Sequence, residues 1–254
     1  MNRTFIIGDI HGNEKVFEHR LNNSQYTFKA EDSLICVGDV GIKYGQFYNE
    51  ALLWEMRKFP GTVYIMRGNH DNRYWRDNVD ISETYTSYIE RPHIGWIIEN
   101  DLLYHEDYPN IKYVRDEGGI YNINDNNVLF IPGAYSIDKF YRLKNKLAYE
   151  PQEQLTQNEL NTLYNLVQSN RNIDYVISHT APLGTQVYYD DLFLPFIDQS
   201  QVDKHMEYFL DEINNLLHNK YKHWYFGHFH DDRTFGKFTM VYNKIQEIGE
   251  NSGQ

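Results

Sequence analysis

Five short clusters in the sequence contain residue types that bind divalent cations. Each cluster follows a run of apolar residues, and glycine frames most of them. The clusters are Gly8-Asp9-Ile10-His11-Gly12, Gly38-Asp39-Val40-Gly41, Gly68-Asn69-His70-Asp71, Ser178-His179-Thr180 and Gly227-His228-Phe229-His230. Because carboxylate, amide and imidazole groups all bind metals such as Mn²⁺, Fe and Zn²⁺, their recurrence indicates a metal centre.

The spacing within two clusters suits shared ligation. Residues two apart on an extended segment point the same way, so Asp9 and His11 can bind one cation together. His228 and His230 have the same spacing, and two imidazoles at a strand end can reach one metal site. A lone Asp-x-His pattern also fits a capped strand end, so the single motif is weak evidence.

The remaining clusters offer a bridging carboxylate, an amide ligand and a proton donor. Asp39 follows a strand-like run, where the ligands of open α/β sheets collect, and one carboxylate can bridge two ions. Asn69 supplies an amide oxygen, and His70 can donate a proton or bind a phosphate oxygen. Taken singly, Asp39 fits a turn residue and Asn69 and Asp71 fit helix caps. The coincidence of five clusters favours the metal centre.

The elements that must position these clusters are short strands and amphipathic helices. Apolar runs predict buried strands at residues 4–7, 34–37, 62–66, 128–131, 175–177 and 223–226. Helical patterns occur at 14–21, 46–59, after the Thr156/Glu159 capping box, and at 202–216. A hairpin around Gly118-Gly119, at 111–123, and late antiparallel strands at 233–248 predict a mixed sheet. The predicted fold class is α/β.

The whole chain, residues 1–254, is predicted to form one domain. Two segments, 135–151 and 181–200, are predicted loops that could select a substrate, and ordinary surface connections are the alternative. The formal charge of −12, from 24 Lys+Arg against 36 Asp+Glu, gives no sign of an extended nucleic-acid surface. No signal peptide or membrane span is apparent, and the lone Cys36 fits a reducing compartment, so we expect a cytoplasmic protein. The oligomeric state stays open.

The five clusters in this order resemble the calcineurin-like metallophosphoesterase superfamily. The segment from Pro132 to Arg142 is also similar to small bacterial and bacteriophage members. The resemblance implies a sandwich of two mixed β-sheets flanked by α-helices. It implies one metal held by Asp9, His11 and His230, a second held by Asn69, His179 and His228, and Asp39 between them.

The resemblance also implies a mechanism. Two divalent ions, with manganese favoured and iron, zinc, nickel or magnesium as alternatives, would share a hydroxide that attacks phosphorus. His70 would stabilise or protonate the leaving oxygen, with Asp71 as its candidate partner. The partner molecule is then a phosphate ester.

One departure from the pattern bears on the substrate. Protein Ser/Thr phosphatases of the related branch continue the second cluster as Gly-Asp-x-Val-Asp-Arg-Gly, whereas Ile42 and Lys43 follow Gly41 here. The phosphate-binding arginine must therefore come from elsewhere, and Arg73 and Arg142 are the candidates, alongside Asn69 and His70. Surface ion pairs are the alternative for both arginines.

The sequence is compatible with three functions. The leading prediction is a metal-dependent phosphomonoesterase or phosphodiesterase that acts on a small or nucleotide-like phosphate. The first alternative is a protein Ser/Thr phosphatase. The second alternative is a non-catalytic scaffold that binds metal at the same surface.

Overall fold

Two facing β-sheets with helices on their outer sides make up this computed structural model, which describes residues 2–83, 88–193, 199–218 and 220–249. The α-helices are α1 (Glu14–Asn22), α2 (Glu50–Met56), α3 (Tyr74–Asn78), α4 (Lys139–Asn145), α5 (Gln157–Ser169) and α6 (His205–Leu217). The strands are β1 (Thr4–Ile7), β2 (Ser33–Cys36), β3 (Thr62–Ile65), β4 (Val79–Glu83), β5 (Tyr88–Pro92), β6 (Trp96–Glu99), β7 (Leu102–His105), β8 (Ile111–Tyr113), β9 (Gly119–Ile123), β10 (Asn126–Ile131), β11 (Tyr175–Ser178), β12 (His223–Phe226), β13 (Arg233–Phe235), β14 (Phe238–Met240) and β15 (Gln246–Glu247).

Both large sheets are mixed, which confirms the predicted fold class. The first has the order β15-β1-β2-β3-β8-β7-β6 and the second the order β13-β14-β12-β11-β10-β9, while β4 and β5 form a separate antiparallel pair. Strands β1, β2, β3 and β8 run parallel, as do β10, β11, β12 and β14. Each sheet therefore gathers the carboxyl ends of several parallel strands at one edge.

The central strands are apolar on both faces because each face meets another layer. In β1, Ile6 belongs to the core between the two sheets, together with Ile177 of β11. The alternate residue Phe5 packs in a separate core with Phe17 of α1 and Leu52 of α2. Continuous apolar runs are typical of strands covered on both sides. The six predicted strands are all confirmed, with ends that differ by at most two residues.

The predicted helices are also confirmed. Thr156 Oγ1 accepts from the Glu159 N–H, and the Glu159 carboxylate accepts from the Thr156 N–H, so the capping box opens α5. Helix α2 begins at Glu50, later than residue 46, because the Asn49 side chain caps it by accepting from the Leu52 N–H.

The predicted hairpin at 111–123 is wrong. Strand β8 pairs with β3 and β7 in the first sheet, whereas β9 pairs with β10 in the second, so the chain crosses between sheets at Gly118. The true hairpin is β9–β10, whose turn residues Asn124 and Asp125 have φ of 48° and 63°. Two positive φ values in succession are typical of the tight turns that match the twist of paired strands.

The two predicted loops contain short helical turns. Helix α4 lies within the first loop, 135–151. Two 3₁₀ turns, Leu183–Tyr188 and Asp190–Leu192, lie within the second loop, 181–200. Residues 194–198 of the second loop fall outside the described residues. Within the described ranges, each helix is too short or too polar to cross a bilayer.

Candidate active site

All five sequence clusters meet at one edge of the sandwich. Asp9 and His11 follow β1, Asp39 follows β2, and Asn69 follows β3 in the first sheet. His179 follows β11 in the second sheet, and the residues that follow β12 complete the set. The carboxyl ends of parallel strands are where open α/β sheets collect their ligands.

The backbone is unusual at four of the seven expected metal ligands. His11, Asp39, His228 and His230 have φ of 51°, 47°, 70° and 53°, in the left-handed region. Residues other than glycine seldom adopt this conformation, and such departures concentrate at functional sites. The unfavourable backbone conformation therefore occurs at the residues whose side chains face the expected metal centre.

The first group of donor atoms consists of Asp9, His11 and His230. The Nε2 atoms of the two histidines lie 2.9 Å apart, and His230 Nε2 lies 3.2 Å from Asp9 Oδ2. Asp9 is buried, whereas the two rings are partly exposed. Three donor atoms thus converge on one point near the surface.

The second group surrounds His179, which is fully buried. Its Nδ1 donates to the Val37 carbonyl over 2.8 Å, so Nε2 faces inward. Nε2 lies 2.9 Å from Asn69 Oδ1 and 3.3 Å from Asp39 Oδ1. Asn69 is held in this orientation because its Nδ2 donates to Ser136 Oγ over 2.8 Å. Fixing a ligand through its other polar atom is typical of metal sites.

Two carboxylates connect the groups. Asp39 Oδ2 lies 4.0 Å from His11 Nδ1, while its Oδ1 reaches His179. Asp9 belongs to both groups of potential ligands, and its carboxylate also accepts from the His228 N–H over 3.1 and 3.2 Å. Asp39 therefore lies between the two groups, as expected, and Asp9 shares the central position.

Two glycines permit this close packing. A β-carbon on Gly38, whose φ is +102°, would collide with the His179 ring, and one on Gly68 would collide with the Asp39 carboxylate. These clashes explain why the clusters need glycine beside the ligands.

Burial and charge set the protonation of the inner groups. Burial, assisted by the nearby His179, lowers the pKa of His228 to about 3, so its imidazole is neutral at physiological pH. Burial also opposes charge on His179, but the Asp39 carboxylate outweighs it and raises the pKa of His179 to about 9. Conversely, although burial acts to raise it, His179 holds the pKa of Asp39 well below its usual range.

The donor set fits divalent cations. His179 Nε2 faces the oxygen atoms of Asn69 and Asp39, and the Nε2 atoms of His11 and His230 face each other. The lone pairs of atoms so placed repel unless a proton, as on the charged His179, or a cation lies between them, so a cation can take the place of the proton. Imidazole, carboxylate and amide donors suit several first-row transition metals.

His70 lies beside this cluster, whereas Asp71 lies beneath it. The His70 ring contacts the His11 ring at 5.7 Å and the Tyr44 ring at 5.4 Å between centroids. Burial lowers the pKa of His70 below its usual value. The Asp71 carboxylate instead accepts from the backbone N–H groups of Val40, Gly41 and Gly68, and from Tyr74 Oη. This placement corrects the expectation that Asp71 partners the His70 ring.

Arg73 lies away from the pocket. Its guanidinium forms an ion pair with Glu159 and donates to the carbonyls of Gln152 and Gln154 over 3.2 and 3.1 Å. The structure therefore does not place Arg73 in the predicted phosphate site, because its donors bind Glu159 of α5 and two nearby carbonyl groups.

Arg142 lies one layer behind His70. Its Nε donates to Asp138 over 2.6 Å, and its guanidinium lies 5.4 Å from the centre of the Tyr44 ring. Tyr44 separates it from His70, and Arg142 is not among the described residues that line the pocket. Its Nη1 also donates to the Ala148 carbonyl over 3.3 Å, so the structure does not place Arg142 at the expected phosphate position.

A cavity of about 380 Å³ opens over the two donor groups. Its inner end is lined by expected metal ligands and His70. The rest of its lining, the outer half of the cavity, comes mainly from both predicted loops and from the start of α6. It consists of Tyr135, Ile137, Asp138, Gln186, Leu192, Phe193, Val202, Lys204, Glu207 and Phe229. Both predicted loops thus contribute to its walls. A larger groove of about 1390 Å³, between α1 and residues 232–247, contains none of the expected ligands.

Arg20 and Tyr242 support the expected ligands from behind, and the sequence did not predict this role. Arg20 Nη1 donates to the carbonyls of Gly8 and Asp9 over 3.2 and 2.9 Å, and its guanidinium lies 4.9 Å from the centre of the Tyr242 ring. The Tyr242 ring stacks on His230 at 4.8 Å. An available signal was an arginine on the buried face of α1, three residues after Phe17.

Comparison with known protein families identifies the family of this chain. A family model described as calcineurin-like phosphoesterase matches residues 3–232. The chain belongs to this family. It is accordingly a metal-dependent phosphoesterase, a hydrolase whose family uses divalent metal ions and phosphate-ester substrates.

The fold is shared with a solved structure of low sequence identity. The phosphopantetheinyl hydrolase PptH from Mycobacterium tuberculosis is 14% identical, with a TM-score of 0.51 over 99% of the phosphoesterase and 97% of PptH. A protein of unknown function, AQ665 from Aquifex aeolicus, is 14% identical with a TM-score of 0.32 over 70% and 78% of the chains. No curated protein sequence matches the phosphoesterase significantly.

Proposed function

We propose that the protein is a two-metal hydrolase of small or nucleotide-like phosphate esters, either monoesters or diesters. The observation that carries this proposal is the pair of adjoining donor groups, which share Asp9 and are connected through Asp39. A small cavity opens directly above them. A reacting phosphate in this cavity would lie beside both groups.

The proposed metal ligands follow the two groups. One cation would be held by Asp9, His11 and His230, the other by Asn69, His179 and His228, and both by Asp39. When bound, the two cations would supply a hydroxide nucleophile from water and neutralise the phosphate oxygens. Manganese is the metal we propose first, and iron, zinc, nickel or magnesium would suit the same mixture of donors.

His70 is proposed to act on the leaving group. Its ring lies at the cavity wall beside His11, so it can donate a hydrogen bond or a proton to the departing oxygen. The His70 backbone N–H donates to Asp39 Oδ1 over 2.7 Å, which fixes both residues. Asp71 is proposed to act through the backbone that carries Asp39 and not through the His70 ring.

The cavity favours a small substrate over a phosphoprotein. Its outer end is walled by segments outside the metal motifs, and 380 Å³ is near the lower end of the usual range for ligand pockets. A phosphorylated side chain on a folded protein would need an open approach to the metals. The Arg73 guanidinium also lies away from the cavity, where it pairs with Glu159, and no described arginine lines the cavity. The cavity therefore has no counterpart of the phosphate-binding arginine of the protein Ser/Thr phosphatases.

A panel of phosphate esters tests the proposal. The chelator-treated protein is reloaded with Mn²⁺, Zn²⁺, Ni²⁺ or Mg²⁺ and given p-nitrophenyl phosphate, bis(p-nitrophenyl) phosphate and a phosphoserine peptide. We expect metal-dependent turnover of a chromogenic ester. Faster turnover of the phosphopeptide would favour a protein phosphatase, and metal binding without any turnover would favour a scaffold.

A further inference from the structure

The outer half of the cavity has features that the metal chemistry does not require. Its walls are apolar, with Ile137, Leu192, Phe193, Val202 and Phe229 all facing the cavity and partly exposed. Hydrolysis of a phosphate group needs no such surface. Partly exposed apolar side chains grouped around a cavity indicate a bound apolar group.

The aromatic part of this wall is held in place from behind. The buried Tyr189 ring lies 4.6 Å from Phe229 and 5.9 Å from Phe193 between centroids. Phe193 and Phe229 are themselves 6.5 Å apart. Two fixed aromatic side chains provide a suitable surface for a flat ring.

Two charged residues on one turn complete the outer end. Lys204 precedes α6 and Glu207 lies in its first turn, and both line the cavity. Among the described residues of the lining, Lys204 is the only lysine or arginine. Its Nζ lies 3.3 Å from Gln186 Oε1, and a lysine ammonium has three donors, so donors remain for a ligand.

Glu207 has an unused acceptor. The residue is only 5% exposed, and its Oε1 accepts from Thr180 Oγ1 over 3.1 Å. Its Oε2 is buried without a hydrogen-bond partner in the described part of the chain. A carboxylate oxygen that is closed to water and has no donor is unfavourable, so we expect the Glu207 side chain to turn towards the cavity that it lines and to accept from a ligand N–H.

We propose that the outer half of the cavity binds the base of a guanine-type nucleotide, whose carbonyl oxygen accepts from Lys204 and whose N–H groups donate to Glu207. Lysine pairs with guanine O6, and a carboxylate accepts from ring and amino N–H groups. Phe193 and Phe229 contact the flat ring. This inference rests on the proposed phosphoesterase function, and it names the substrate class of that site.

Other organic groups fit less well. A sugar alone would leave the apolar walls uncovered, and an aliphatic chain would leave Lys204 and Glu207 without partners. Adenine lacks the carbonyl oxygen and the ring N–H. The volume of about 380 Å³ accommodates one nucleoside more readily than an oligonucleotide.

Competition experiments test the proposal without assuming which ester is the substrate. The Mn²⁺-loaded protein turns over whichever chromogenic ester it accepts, and GMP, AMP and ribose 5-phosphate are added as inhibitors. We expect the inhibition constant of GMP to be roughly tenfold lower than those of AMP and ribose 5-phosphate. Equal constants for all three would overturn the proposal.

The absence of turnover would reject the proposed function but not this inference. Calorimetric titration of the Mn²⁺-loaded protein with the same three ligands then decides it. Preferential binding of GMP supports the base site, and equal or absent binding overturns it.

Variants separate base recognition from phosphate binding. In Glu207→Gln and Lys204→Met, the preference for GMP over ribose 5-phosphate should fall roughly tenfold, since each removes one polar contact. The ratio within one variant is insensitive to a partial loss of folded protein. Equal weakening of both ligands would overturn the proposal, because the side chain would then contact the phosphate. Glu212→Gln on the exposed face of α6 and the exposed Lys220→Met are matched controls that should keep the preference.

Discussion

At the scale of single residues, Asp39 and His70 are adjacent in space but differ in what they contact. Asp39 reaches both donor groups, whereas the His70 ring faces the cavity. Asp39→Asn should therefore lose metal, because the substitution removes a charge shared by both sites. His70→Ala should keep two metals and lose roughly a hundredfold in kcat, since proton transfer contributes at least that much.

Metal analysis alongside steady-state kinetics distinguishes these outcomes. His70→Asn is the conservative comparison, because its amide can still donate a hydrogen bond but cannot transfer a proton at neutral pH. A His70→Ala protein that binds fewer metals than the wild type would contradict its role in chemistry alone.

Arg20 illustrates a residue that acts through others. It joins the backbone of Asp9 to the Tyr242 ring, which stacks on His230, and thereby supports two ligands of one group. Arg20→Met should weaken Mn²⁺ binding roughly tenfold or more, as losses of outer-shell support usually do. Isothermal titration gives this affinity, and Arg171→Met, on an exposed loop, should bind as the wild type does. An unchanged Mn²⁺ affinity in Arg20→Met would remove Arg20 from the metal site.

At the scale of elements, Asp71 ties together three segments. Its carboxylate links the loop after β2, through Val40 and Gly41, to Gly68 after β3 and to Tyr74 of α3. An asparagine side chain has only one acceptor oxygen for these four donors. Asp71→Asn should therefore lower the free energy of unfolding by about 2–3 kcal/mol.

Urea denaturation in the presence of a chelator measures this change without a contribution from metal binding. Asp125→Asn, in the exposed β9–β10 turn where φ is 63°, is the control and should change stability by less than about 0.5 kcal/mol. Equal effects of the two substitutions would show that Asp71 does not hold the loops together.

At the scale of the whole molecule, the proposed metals connect the two sheets. Asp9, His11, Asp39 and Asn69 belong to the first sheet, and the remaining ligands follow strands of the second. Because the metals bind the folded chain, Mn²⁺ at a hundredfold excess over its dissociation constant should stabilise it by about 2.7 kcal/mol per site. Thermal unfolding with and without Mn²⁺ measures the shift, and a Tm that does not respond to Mn²⁺ would argue against such a link.

The acid stability of the molecule should depend on His223. Burial, with a smaller contribution from Lys237, lowers the pKa of His223 to about 4, and its Nε2 lies 2.8 Å from Thr239 Oγ1. A histidine with a depressed folded pKa contributes stability above its unfolded pKa of about 6.5 and loses it as the pH falls through about 4.

Compared with His223→Gln, the wild type should therefore lose more stability between pH 7 and pH 4.5. The urea midpoints of both proteins are measured at the two pH values. Because both proteins have the same expected metal ligands, the titration of those ligands affects both equally and cancels in the comparison. Parallel losses in the two proteins would show that His223 does not titrate with unfolding.

The sequence by itself determined the α/β class, the central strands and the gathering of the expected ligands. These features are local, because each ligand follows its strand directly and parallel strands bring their carboxyl ends together. Only the tertiary structure decided the crossing between sheets at Gly118, since apolar patterning shows that a strand is buried but not which sheet it joins. It also decided the pairing of Arg73 with Glu159 and the placement of Lys204, Glu207 and Phe229 around one cavity. Both arrangements bring together residues far apart in the chain, and neither spacing nor composition encodes them.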